Sequence, residues 1–156
     1  SDRDLVAAFS FLVRFSSDNP TTGPTMLHHL AIGANDVDAL AAFYTEIFNL
    51  ELCARHAYDD GATRSIWLWL SNSREAVLMI EHTDLEPSPI DGPIIVPGPF
   101  LLAFSIAQEQ REALLEKLAA RGHEVEATTG YTSYFRDPEN NRVAVSTYPL
   151  QDRHID

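Results

Sequence analysis

Residues 28–52 read HHLAIGANDVDALAAFYTEIFNLEL, and this stretch decides the fold. His28 to Ala34 alternates in character, as a strand half-buried on one face does. Asn35 or Asp36 then offers a side chain that can cap the first free N–H groups of a helix. Val37, Leu40, Ala41, Tyr44, Ile47 and Phe48 follow at i, i+3, i+4, i+7 spacing, one apolar stripe. Asn49 is suited to a left-handed stop. Three strand-like runs come next, Glu51 to Tyr58, Thr63 to Leu70 and Glu75 to His82. The turns Asp59-Asp60-Gly61 and Ser71-Asn72-Ser73 separate them. The order is β-α-β-β-β.

The same order returns after residues 83–99, TDLEPSPIDGPIIVPGP, which hold five of the nine prolines and read as a linker. Residues 101–125, LLAFSIAQEQREALLEKLAARGHEV, give a strand over Phe100 to Ala107. A helix over Glu109 to Arg121 follows, with Leu114, Leu115 and Leu118 inward and Gly122 as its stop. Strands at Glu124 to Thr128, Tyr131 to Arg136 and Arg142 to Tyr148 complete the copy. The last two form the hairpin YFRDPENNRVAVST, residues 134–147, around the turn Asp137-Pro138-Glu139-Asn140-Asn141. Two such units make an α+β fold. The domain plan is an N-terminal extension 1–25 (helix or arm), a first βαβββ unit 26–82, the linker 83–99, a second unit 100–150 and a tail 151–156.

Composition narrows the function. Eleven basic and 23 acidic residues give a net charge of -12, which repels phosphate backbones and anionic headgroups. Nucleic acid and membranes are therefore poor partners, and a small molecule is the better one. By steering alone, such a surface favours a cationic ligand. No apolar run reaches the ~18 residues of a membrane span. Cys53 is the only cysteine, so no intrachain disulfide forms, in keeping with a cytoplasmic protein, and its alternating context marks it as a small buried hydrophobe. Residues 5–15, LVAAFSFLVRF, are apolar but lack the basic start and cleavage site of a secretory signal.

The repeat and its segments HHLAIGANDVDALAAFYTEIFNLEL, LLAFSIAQEQREALLEKLAARGHEV and YFRDPENNRVAVST resemble the vicinal oxygen chelate superfamily over about residues 27–149. That group holds glyoxalases, bleomycin-resistance proteins, fosfomycin-resistance enzymes and extradiol dioxygenases. The resemblance implies that each unit curls into half of a cupped mixed sheet, with helices outside and the ligand inside. It implies up to four metal ligands from the first and last strands of each unit, and a homodimer that sometimes completes each cup.

Carried over position by position, the first ligand place falls on His29, with Ala31 and Gly33 on the same cup face and His28 turned to the helices. The equivalent place in the second unit is Leu101, which cannot ligate. In the last strand, the family's frequent carboxylate place reads Ala144. In the strand Glu75 to His82, matching VLMI to VAVS selects Leu78, while a one-residue slip brings Met79 or Glu81 forward. A catalytic metal usually needs three protein donors. The resulting expectation is a cup without a tightly bound cofactor, with His29 and Glu81 or His82 as the fallback ligands of a divalent metal.

The strand TRSIWLWL puts Trp67 and Trp69 on one face, and Tyr134 or Phe135 with Tyr148 extends an aromatic wall. The expected ligand contacts are His29, Trp67, Trp69, Leu101, Tyr134, Ala144 and Tyr148. Arg64 and Arg136 are candidate anion clamps, and His56, His123 and His154 read as surface or turn residues. Two functions stay open. One is a binding protein like the bleomycin-resistance branch. The other is a metal-dependent lyase, isomerase or dioxygenase. No nucleophile elbow, phosphate loop or Rossmann glycine pattern is present.

Overall fold

The computed structural model describes residues 25–87 and 95–150. The N-terminal extension up to residue 24, the linker residues 88–94, and the tail with His154 lie outside the described residues. The elements run β1 His29–Ala34, α1 Val37–Phe48, β2 Leu52–Ala57, β3 Thr63–Trp69 and β4 Val77–His82. The second set is β5 Leu102–Ser105, α2 Arg111–Ala120, β6 Val125–Thr128, β7 Thr132–Arg136 and β8 Arg142–Ser146. This is a tandem pair of βαβββ units.

The two sheets share one topology, β1-β4-β3-β2 and β5-β8-β7-β6. In each, the first strand lies parallel to the last and the other pairs are antiparallel. The helix between the first and second strands is the crossover that returns the chain across the sheet.

Local chemistry fixes α1 at both ends. Asp36, in an extended conformation, accepts the Ala39 N–H at 2.9 Å. Asn49 ends the helix in the left-handed region at φ 55°. The buried stripe is Val37, Leu40, Ala41, Phe43, Tyr44 and Ile47. The second helix has weaker signals. Gln110 supplies no side-chain cap, and residues 108–110 form a 3-10 turn before α2 starts at Arg111. It is therefore shorter at both ends than Glu109 to Arg121, and Leu118 is its one fully buried leucine, with Leu114 and Leu115 half-buried. The Gly122 stop holds, at φ 79°, with the His123 N–H donating to the Leu118 carbonyl.

A single core joins the units. Leu30, Ile32, Ile66, Leu68, Leu78 and Ile80 from the first sheet pack with Phe135, Val143, Val145 and Leu118 of the second unit. The aromatic side of α1 bridges them. Phe48 stacks on Phe104 with centroids 4.1 Å apart, and Phe43 and Phe48 both lie within 6.4 Å of Phe135. Polar contacts cross the same boundary. Lys117 donates to the Glu46 carbonyl, and Arg121 pairs with the Glu46 carboxylate at 2.6 Å.

Candidate functional site

Ladder register assigns the other face of each sheet, the one turned away from the helices. In the first sheet, Gly33, Glu81 and Ser65 share a row, as do Ala31, Met79 and Trp67, then His29, Val77 and Trp69. In the second, Ala103, Ala144 and Tyr134 share a row beside Ser105, Ser146 and Thr132, and Arg136 lies opposite Arg142. His29, Trp67, Trp69, Tyr134 and Ala144 thus stand on these faces. His29 is exposed at the start of β1, the tryptophans and Tyr134 are half-buried, and Ala144 is fully buried between Ala103 and Tyr134.

The rows correct several sequence expectations. Leu78 is a core residue with no exposure, because the true match is VLMIE to RVAVS and sets Met79 beside Ala144's place. Phe135 is likewise core, leaving Tyr134 outward. His28 precedes β1 and is exposed, its Nδ1 2.9 Å from that of His29, rather than turned to the helices. Tyr148 lies past the end of β8, edge-on to Tyr131 with centroids 5.2 Å apart. Arg64 is exposed on the alternate face of β3 from the tryptophans and does not join Arg136. His56 is no surface residue: it is half-buried on β2, its ring 4.9 Å from Trp67. His123 packs on Phe43 at 4.8 Å. Cys53 is half-buried.

Among the described residues, the donors do not assemble for a metal. Glu81 lies four residues beyond Val77, the ladder partner of His29, so the two are roughly 13 Å apart along the strand at about 3.3 Å per residue. Glu81 instead accepts from Ser65 Oγ at 2.9 Å, and Ser65 Oγ accepts from Trp67 Nε1 at 2.7 Å. His82 sits in the Ala34 row, bonded to Tyr58 at 3.0 Å and facing Asp84 at 3.3 Å. Among the described residues, no three His, Cys, Asp or Glu side chains cluster as a metal site would require.

A cavity of about 350 Å³ opens at the seam between the units. Its wall is β1 from Leu30 to Ala34, an edge strand, facing Phe100 to Leu102 and the base of the β7–β8 hairpin. Leu30, Ile32, Leu102 and Tyr44 form an apolar side; Asn35, Glu86, Arg136, Glu139 and Arg142 supply the polar rim. Leu101 is the one sequence-selected ligand contact that lines it. The size suits a small organic molecule.

A buried latch holds this seam. Tyr44 on α1 donates to Asp137 Oδ2 at 2.7 Å. Asp137 also accepts from the Glu139 and Asn141 N–H groups and from Asn141 Nδ2, at 2.9–3.0 Å. Glu139 Oε1 accepts the Asp36 N–H at 2.8 Å, so the second unit's hairpin caps the first unit's helix. Burial raises the Asp137 carboxyl, outweighing the donors that lower it. Burial also raises the Tyr44 hydroxyl, with the Asp137 charge adding to it.

A model described as the Glyoxalase/Bleomycin resistance protein/Dioxygenase superfamily matches residues 26–145. No curated protein matches the sequence. Among solved structures, the fosfomycin resistance protein FosX from Listeria monocytogenes, complexed with Mn(II) and sulfate, is similar at 20% identity and TM-score 0.61. That match covers 84% of this chain and 96% of FosX. A glyoxalase/dioxygenase from Nostoc punctiforme matches at 17% identity and TM-score 0.64, over 83% and 97% of the two chains. Lactoylglutathione lyase from Agrobacterium tumefaciens matches at 21% and 0.56, over 80% and 95%. At these identities the likeness is one of fold.

Proposed function

Since the chain belongs to the Glyoxalase/Bleomycin resistance protein/Dioxygenase superfamily, we propose that it binds a small organic molecule at the seam between its two units, without a tightly held catalytic metal. The observation that carries this is the cavity of about 350 Å³ with an apolar side and a polar rim. Such a site gains affinity from burial and takes orientation from a few polar groups. The mismatch of His29 and Glu81 along the strand supports the metal-free half of the reading. The exposed Ala31, His29 and Ala103 and the half-buried Trp69 give a second copy of the chain a surface to cover, and we place a homodimer there.

The test fills the cavity from an exposed wall position. Ala31 is exposed and lines the seam, so Ala31→Trp adds bulk to the hollow at little cost to the core. A panel of planar organic compounds is titrated by calorimetry against both proteins. Ligands that bind the parent and not the variant, with melting temperatures within a few degrees, support the site. Equal binding to both refutes it.

A second reading is a metal-dependent enzyme in which His29 joins donors from a second copy. The observation behind it is that FosX, of like fold, was crystallised with Mn(II). Elemental analysis of protein purified without chelator decides between them. Stoichiometric metal that disappears in His29→Ala overturns the binding-protein reading.

A further inference from the structure

The ladder sets Arg136 directly opposite Arg142 at the base of the hairpin. Like charges in that position repel unless something of opposite sign intervenes. Arg136 has its counterion: its Nε donates to Glu126 at 2.7 Å, and Nη1 donates to the Asn140 carbonyl at 3.2 Å. Arg142 is not balanced in the same way. Its guanidinium lies 4.5 Å above the Tyr134 ring, a contact that orients the plane without supplying an acceptor. Its Nε is buried and finds no hydrogen-bond partner among the described residues. That atom is too enclosed for a cavity occupant to reach, but the outer nitrogens of the same guanidinium also make no hydrogen bond or ion pair among the described residues, and they are accessible to an acceptor. Arg142 lines the seam cavity.

The rim carboxylates do not fill this role. Glu139 accepts the Asp36 N–H at the start of α1, and Glu86 is exposed on the linker; neither makes an ion pair with Arg142 among the described residues. We propose that the seam cavity takes an organic anion, a planar or compact apolar body bearing a carboxylate or a similar oxyanion, and that Arg142 is the residue that selects it. The inference rests on the seam as binding site and adds the sign of the ligand. It runs against the net charge of -12, which favours cations at long range. A rigid donor fork inside a partly apolar hollow outweighs that field at contact distance, since charge-assisted bidentate bonds are the strong ones.

Four probes share one ring and differ in charge: benzoate, phenylphosphonate, benzamide and benzylammonium. Calorimetric titrations use the whole chain, Arg142→Gln, Arg142→Lys, Ala31→Trp and, as a distant control, Arg64→Gln. The expected result is that at least one of the two anions binds the parent on the order of tenfold to a hundredfold more tightly than benzamide. Whichever anion leads distinguishes carboxylate from phosphonate. That preference disappears in Arg142→Gln, survives in part in Arg142→Lys, and is unchanged in Arg64→Gln. Circular dichroism and melting curves confirm that each variant is folded. A preference that persists in Arg142→Gln, equal affinity for benzoate, phenylphosphonate and benzamide, or tighter binding of benzylammonium each overturns the assignment. If Ala31→Trp still abolishes binding in those cases, the seam survives as the site and only the anion inference falls. If no probe binds the parent at millimolar concentration, the anion inference falls as well.

Discussion

The strongest structural prediction concerns Tyr44→Phe. The substitution keeps the ring on α1 and removes only the hydroxyl that reaches the hairpin 93 positions away. The bond is buried, 2.7 Å long, and made to a carboxylate. Hydrogen bonds to charged groups contribute about 1.5–3 kcal/mol. Three donors remain on Asp137, so the carboxylate is not left bare and the loss stays in that range. For a domain of this length the expected fall in Tm is roughly 3–12 °C, at about 2–4 °C per kcal/mol. Asp137→Ala removes the acceptor from all four donors and costs more than Tyr44→Phe. Urea denaturation measures each variant, and the double variant Tyr44→Phe with Asp137→Ala completes a cycle. A coupling energy near zero, or a Tyr44→Phe cost below about 0.5 kcal/mol, refutes the latch as the tie between the units.

Further outcomes follow from the same contacts. Burial raises the Asp137 carboxyl above its unfolded value of 3.8, so its contribution to stability is fully present below that pH and is lost as pH rises through the raised value. Relative to Asp137→Asn, the parent loses melting temperature as pH rises through that window; no pH dependence of the difference refutes the shift. Phe135→Ala removes a fully buried ring facing both Phe43 and Phe48 and costs about 3–5 kcal/mol in urea unfolding, lowering the stability of both units in one transition. Ser65→Ala strips Trp67 Nε1 of its acceptor and Glu81 of its donor, and shifts tryptophan emission without unfolding the chain; an unchanged spectrum contradicts that network.

The sequence carried the fold well where local chemistry and periodicity agreed. The cap at Asp36, the stop at Asn49 and the turn at Asp137 are each set by neighbours within a few residues. The site was harder for physical reasons. In β4 the run Val77-Leu78-Met79-Ile80 is apolar throughout, so alternation gives no sign of which side faces the helices, and the sequence match of VLMI to VAVS is one residue off the structural register. Asp137 looked like a turn former because it is one; its bond to Tyr44 joins elements that only the tertiary fold brings together. The seam cavity lies along strand edges from different units, and no linear pattern encodes that meeting. One signal was available. A hairpin turning on Asp137 to Asn141 pairs its flanking residues, which sets Arg136 against Arg142, a repulsive pair in need of an explanation.

The two units repeat a topology without repeating its chemistry. In the first sheet the outward rows carry Trp67, Trp69, Met79 and His29, large side chains that cover their own surface, and Ser65 and Glu81 tie the row together. In the second the corresponding rows carry Ala103, Ala144, Ser105 and Ser146, with Tyr134 as the one large side chain beside the fully buried Ala144. The hollow lies where the edge strand β1 meets Phe100 to Leu102 and the base of the hairpin. The hairpin borders that hollow with Arg136 and Arg142 and is itself pinned by Asp137 and Glu139 to α1. The same five-residue turn therefore holds the units together and positions the cations at the cavity rim. A ligand that engages Arg142 would add its binding energy to the stability of the interface, about 2.7 kcal/mol at a hundred times its Kd.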